Sequence, residues 1–192
     1  MKRWSSSTFL AQLALCGSLL LLAGCPSAGD FGDSGGTAVA GLVVEAGQGG
    51  STVCTVPENR EAVVARVLEL VNQERTRRFL PPLTLNPTLT RVAEKHACDM
   101  IQRGYFAHVS PAAKGPGERA IEEGYVFLAI GENLAAGQTS PEQVMQEWMN
   151  SNEGHRENIL QAQWKEIGIA VQSGGEYGVY WVQEFGHPPP TP

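Results

Sequence analysis

The chain has 192 residues, and its 14 Lys and Arg against 20 Asp and Glu give a net charge of −6. That acidic balance excludes nucleic acid as an expected partner, because phosphate binding draws on clustered Lys and Arg. With its N-terminal segment set aside, the chain holds enough sequence for one modest domain and not for two.

Met1-Lys2-Arg3 opens the chain, an almost uncharged run follows from 4 to 22, and the run closes on Leu22-Ala23-Gly24-Cys25. A charged start, an apolar stretch and a small-residue cleavage site are the parts of an export signal, placed at residues 1–24. The alternative, a transmembrane anchor, is the weaker reading: the apolar stretch is shorter than the ~20 residues a spanning helix needs, and no basic stop-transfer cluster follows. The string LAGC resembles the lipobox of bacterial lipoprotein precursors, which implies that Cys25 is acylated and becomes the first mature residue. Each buried methylene contributes about 0.8 kcal/mol, so several acyl chains hold a domain at a membrane without a spanning helix. The expected location is the cell envelope, lipid-anchored outside the cytoplasm.

Residues 26–51 are dominated by Gly, Ala and Ser. With Cys25 they are expected to form a flexible tether (25–51). The patch 39–44 could form a short strand but has no neighbour to pair with. Order is expected from about Val53, within a domain spanning 52–187. From 58 to 77, Val63, Val64, Val67, Leu68 and Val71 recur at helical spacing among charged residues, which predicts an amphipathic helix. Leu80-Pro81-Pro82-Leu83 ends it. Asn86-Pro87 opens a second helix with an N-cap residue and a proline at the first position, and that helix stops at Gly104.

A short helical stretch is expected over 117–123. Ser140-Pro141-Glu142-Gln143 reads as a capping box starting a helix that turns Val144, Met145 and Trp148 inward. Beyond His155 the period changes to two. Ile167, Ile169 and Val171 alternate with small residues, a Ser173-Gly174-Gly175-Glu176 turn follows, and Tyr177, Val179, Trp181, Gln183 and Phe185 alternate in turn. This predicts an antiparallel hairpin. Residues 188–192, rich in proline, are expected to form a disordered tail. Three or four helices followed by a hairpin indicate an α+β domain.

Cys16 leaves with the signal and Cys25 is taken by lipid, so Cys54 and Cys98 remain. An even pair in an exported chain suggests a disulfide. The alternative is that Cys98 is a small buried hydrophobe. Against it, the helical wheel sets Cys98 opposite Leu89, off the apolar face formed by Leu89, Val92, Ala93, His96 and Met100.

The polar residues without an obvious structural role are His108 past a helix end, Glu132 in Gly131-Glu132-Asn133, and His155 in Gly154-His155-Arg156. If they converge, two imidazoles and a carboxylate form a zinc ligand set with an open position. Each also has an ordinary alternative: a histidine at a helix C-terminus, or a turn whose Glu is solvated. His96 reads as a satisfied core histidine, Trp148 and Trp181 as core, and His187 as a solvated side chain. Glu142, Glu147 and Arg156 read as ordinary surface charges.

Five segments in order, HACDMIQRGYFAHVSP, GENLAAG, SPEQVMQEWMNSNEGHRENIL, IGIAV and YWVQEFG, resemble the CAP superfamily of cysteine-rich secretory proteins, venom allergens and plant pathogenesis-related proteins, and especially its compact bacterial branch. The resemblance covers about 57–186. It implies an α/β/α sandwich with a small antiparallel sheet between helical layers, and a cleft lined by two histidines and one or two glutamates. The family positions fall on His108, Glu132 and His155. Many eukaryotic members carry a second glutamate one helical turn after the tryptophan of the fourth helix, whereas this chain reads Trp148-Met149-Asn150-Ser151. The segment from Trp148 to His155 is one residue longer than is usual in the bacterial branch, which brings Glu153 within reach of the cleft.

The expected function is a lipid-anchored binding module for an extracytoplasmic lipid, peptide or envelope polymer, with weak Zn2+ binding that the fold does not require. The alternatives are a zinc-dependent hydrolase in which Glu132 acts as base or ligand, and a structural envelope protein.

Overall fold

A computed structural model describes residues 51–190. The signal segment, Cys25, all of the tether except Ser51, and the 39–44 patch lie outside them. No helix among the described residues is long and apolar enough to cross a membrane.

Helix α1 (Arg60–Thr76) is followed by the two-residue strand β1 (Thr84–Leu85), α2 (Pro87–Arg103), α3 (Pro116–Glu122), β2 (Ala129–Ala136), α4 (Pro141–Asn150), α5 (His155–Ile159), β3 (Glu166–Ser173) and β4 (Val179–His187). The strands form one sheet in the order β1-β3-β4-β2, parallel between β1 and β3 and antiparallel elsewhere. Because side chains alternate along a strand, the sheet has two faces with separate partners. Ile167, Ile169, Val171, Trp181 and Phe185 meet α1 and α4 through Val67, Val71, Met145 and Trp148. Ala170, Tyr180 and Val182 meet α2 through Ala93, Ala97, Met100 and Ile101. This is the expected α/β/α sandwich.

Asn86 caps α2 by accepting from the backbone N–H of Thr88 and Leu89, and Gly104 ends the helix in the left-handed conformation at φ 64°, as its sequence predicts. Ser140 likewise accepts from Gln143 N–H at 3.2 Å. The expected capping box is only half formed, since the Gln143 side chain accepts from Thr139 N–H instead of from Ser140 N–H. Helix α2 lies unusually close to the sheet at Gly168, where a Cβ would sit 2.1 Å from the Leu89 carbonyl carbon.

Arg75, 0% exposed, donates to the carbonyls of Pro81, Ile159 and Gln161. It ties the end of α1 to the segment following α5. Cys54 and Cys98 are joined, with Cα atoms 5.3 Å apart, and Thr55 pairs with Ser173 at the end of β3. The start of the domain is thereby fixed to both α2 and the sheet.

Two sequence expectations are corrected. Residues 129–136, including the GEN segment expected as a turn, form β2, which pairs with β4 along its whole length. Tyr177, expected in the last strand, lies in the connection between β3 and β4 and is 47% exposed. In addition, β1 and the short α5 carry no periodicity long enough to read from sequence.

Candidate functional site

The left-handed Gly104 turns the chain out of α2 into the loop that carries His108. That loop is pinned by Arg119 of α3, whose Nη1 donates to the carbonyls of His108 and Lys114, each at 2.9 Å. Glu132 projects from β2 toward the α2 and α3 face, and its side chain is 1% exposed. It meets two donors: His108 Nδ1 to Oε1 at 2.7 Å, and Arg119 Nη2 to Oε2 at 2.5 Å. His155 begins α5, with its Nδ1 3.0 Å from Ser151 Oγ.

The far wall is held by amides. Asn133 donates to the His155 carbonyl, and Asn158 donates to the Glu132 carbonyl and to Asn133 Oδ1. Gly131 makes this packing possible, because a Cβ there would lie 2.7 Å from Asn158 Oδ1 and 2.9 Å from the Trp164 ring.

His108, Glu132 and His155 thus line one open cavity of about 240 Å³, with Glu153 and Glu157 at its rim. Glu153 stands where the longer segment before His155 brings it.

Behind Glu132 lies a second carboxyl. Glu184 of β4 is the direct cross-strand partner of Glu132 and is fully buried. Arg119 Nη2 lies 3.7 Å from its Oε1, and neither Glu184 oxygen has a hydrogen-bond partner among the described residues. Like charges placed directly opposite on adjacent strands repel, and a buried carboxylate lacking donors is costly. Burial, reinforced by the charge of Glu132, therefore pushes the Glu184 carboxyl well above the usual range, with Arg119 opposing. For Glu132, burial acts upward, but the His108 hydrogen bond and the charge of Arg119 outweigh it, so this carboxyl stays below the usual range. Both carboxyls face the one guanidinium of Arg119.

His96 completes the inner wall. Its Nε2 lies 3.1 Å from the Ala107 carbonyl and 3.6 Å from Glu132 Oε2. Burial lowers its pKa to about 4, helped by Arg119 and opposed by Glu132. It is therefore neutral at pH 7, so its approach to Glu132 is not an ion pair. It is the satisfied core histidine its helical position predicts, and it also backs the site.

The chemistry of the donor set departs from a three-ligand zinc site. Both Glu132 oxygens are engaged, and among the described residues no group of three His, Cys, Asp or Glu side chains is arranged to hold a metal. A carboxylate accepting from histidine Nδ1 orients the ring and leaves Nε2 as the free donor atom. The geometry fits Glu132 as the residue that holds His108 in place, with the imidazoles of His108 and His155 facing the cavity. His155 has its pKa lowered by burial and by the neighbouring His108.

Of the residues that build the cavity and its support, sequence reasoning named His108, Glu132 and His155 and missed Arg119 and Glu184. The signal for Glu184 was present, since a glutamate inside the apolar run YWVQEFG occupies a strand position between core residues. Nothing in the seven-residue α3 marks Arg119.

A small antiparallel-dominated sheet between helical layers, opening at its β2 edge into a His/Glu cavity, defines the architecture of the CAP fold. Residues 68–185 match the family described as CAP, Cysteine-rich secretory protein family, and the chain belongs to it. It is 38% identical over 135 residues to the Bacillus subtilis (strain 168) uncharacterized protein YkwD, covering 70% of this chain and 51% of that protein. The chain thus spans about half the length of that curated relative. Among solved structures it is similar to an extracellular protein containing a SCP domain from Bacillus anthracis, at 32% identity and TM-score 0.60 over 67% of this chain and 41% of that one. The fold is also that of an outer surface protein from Borrelia burgdorferi, at 20% identity and TM-score 0.65 over 71% of this chain and 100% of that one.

Proposed function

We propose that this chain is an extracytoplasmic CAP-domain binding module, held at a membrane through an acylated Cys25, that takes its ligand in the cavity of His108 and His155. The observation that carries the reading is the commitment of Glu132: its oxygens are satisfied by His108 and Arg119, so it positions an exposed imidazole and is not free to serve as a general base. Such a site is pre-organised for recognition. The Bacillus anthracis relative is described as extracellular, which supports the compartment, as do the export signal and the cysteine pair.

Zinc, in this reading, is held weakly by the two imidazoles, and the domain folds without it. The lowered pKa of His155 keeps that ring neutral, and so able to bind, to a lower pH than an unperturbed histidine.

The test is a zinc titration of the full chain with and without the double substitution His108→Ala, His155→Ala. Lost affinity at little change in thermal stability is the expected result, and unchanged affinity overturns the site. Zinc-dependent turnover of a peptide or ester panel that disappears in the double variant would replace the binding module with a hydrolase. For the anchor, Cys25→Ala should abolish fatty-acid labelling and release the protein from membranes. A variant that still labels refutes that part.

A further inference from the structure

Next to the histidine cavity, and sharing His155 with it, runs a groove of about 520 Å³, within the ~300–1,000 Å³ typical of ligand pockets. Two aromatic rings stand at its edge from different parts of the chain: Phe106 in the loop after α2, 42% exposed, and Tyr177 in the β3–β4 connection, 47% exposed. Their centroids are 5.9 Å apart with the ring planes inclined at 69°, and both rest on the buried ring of Tyr180 at 6.2 and 5.7 Å. The rings are braced from behind, with much of their apolar surface left in water. Burial of such surface is favourable.

The groove is polar on its other side. Gln138 is only 8% exposed; its Nε2 donates to Glu147, while its Oε1 has no partner among the described residues. Buried amide oxygens are ordinarily satisfied. A buried amide oxygen with no partner among the described residues, a carboxylate and the His155 ring therefore belong to residues lining one groove whose edge carries two braced aromatic rings.

We infer that this groove is a binding site for a neutral oligosaccharide, one sugar lying against Phe106 and Tyr177 and the chain continuing past His155 into the histidine cavity. A pyranose ring presents C–H groups on its faces and hydroxyls around its rim, so it needs an aromatic platform and adjacent acceptors in one place. Lipid would use the rings but leave Gln138 Oε1 without a donor. Anionic glycans meet the Glu147 carboxylate and a chain of net charge −6, a mismatch that favours uncharged sugars. Continuity through His155 calls for a polymer longer than a single sugar. This assignment names the ligand class of the binding module proposed above and rests on that reading.

The experiment is calorimetric titration of the full chain with cellotetraose and with tetra-N-acetylchitotetraose as neutral probes, and with tetragalacturonate as the anionic control. At least one neutral probe is expected to saturate the protein, and the anionic one is not. The double variant Phe106→Ala, Tyr177→Ala should weaken binding at least about tenfold, a loss of ~1.4 kcal/mol, with Tyr177→Phe close to wild type because the platform survives. Melting temperatures identify any variant that fails to fold, and for such a variant Phe106→Ser and Tyr177→Ser are titrated singly. Neither neutral probe binding at millimolar concentration, or equal binding by the double variant, overturns the assignment. Zinc titration of the same proteins separates this failure from that of the cavity. Zinc affinity dependent on His108 and His155 without sugar binding sinks only the oligosaccharide, while absent zinc affinity sinks the imidazole site and leaves the sugar result to stand or fall on the aromatic variants.

Discussion

His96 offers the sharpest link between the buried wall of the site and a measurable quantity. Its side chain is 0% exposed, it faces Glu132, Arg119, Asp99 and Tyr105, and its pKa is lowered to about 4. An unfolded histidine titrates near 6.5. Between those values the unfolded chain binds a proton that the native state refuses, so this contribution to stability is complete above about pH 6.5 and is lost as pH falls toward 4. At ~1.4 kcal/mol per pKa unit the full loss is about 3 kcal/mol, or roughly 10 °C in melting temperature for a domain of this size. Glu184 acts in the opposite sense. Its raised pKa makes a contribution that is present at low pH and declines as pH rises through the native value, so the wild-type curve alone mixes the two. The informative comparison is His96→Gln, which keeps an amide able to donate to the Ala107 carbonyl but cannot titrate. Melting followed by circular dichroism from pH 4.5 to 7 should show a wild-type curve falling more steeply toward acid than the variant's. Parallel curves would refute a buried neutral His96.

The close approach of α2 to the sheet makes Gly168→Ala a severe substitution. With a Cβ 2.1 Å from the Leu89 carbonyl carbon the backbone itself must move, so the loss should exceed the usual ~1–3 kcal/mol of overpacking and be seen as poor folding in denaturant titration; a wild-type midpoint would contradict the packing. Removing the Cys54–Cys98 crosslink, which closes a separation of 44 residues, should cost about 4 kcal/mol in the chain-entropy treatment, measured by urea unfolding of the double alanine variant. Two free thiols titrating in protein from its native compartment would show that the bond is not formed. Glu184→Gln removes a titration whose native pKa is raised, so stability relative to wild type should increase as pH increases. A large loss at every pH would instead assign Glu184 a negative charge.

Sequence alone determined what depends on local backbone and on side-chain period. The apolar recurrences from Val63 to Val71 and around Val144 to Trp148 are helical because only a period near 3.6 gathers them onto one face. Ile167 to Val171 and Trp181 to Phe185 are strands because alternation serves both layers of the sandwich. Asn86-Pro87 and Gly104 mark helix ends through a capping acceptor and a left-handed turn, and Cys98 lying off the apolar face of its helix pointed to the bond with Cys54. The identity of β2 was decided by tertiary structure. Gly131-Glu132-Asn133 has the composition of a turn, and it becomes a strand only because β4 offers a full ladder of partners and Asn158 and Trp164 fill the space above Gly131. The same pairing sets Glu132 against Glu184, and the docking of α3 brings Arg119 to both. These contacts join residues 13 and 52 positions away from Glu132. No local periodicity encodes such distances: a buried charge finds its counter-charge only when separate elements pack together.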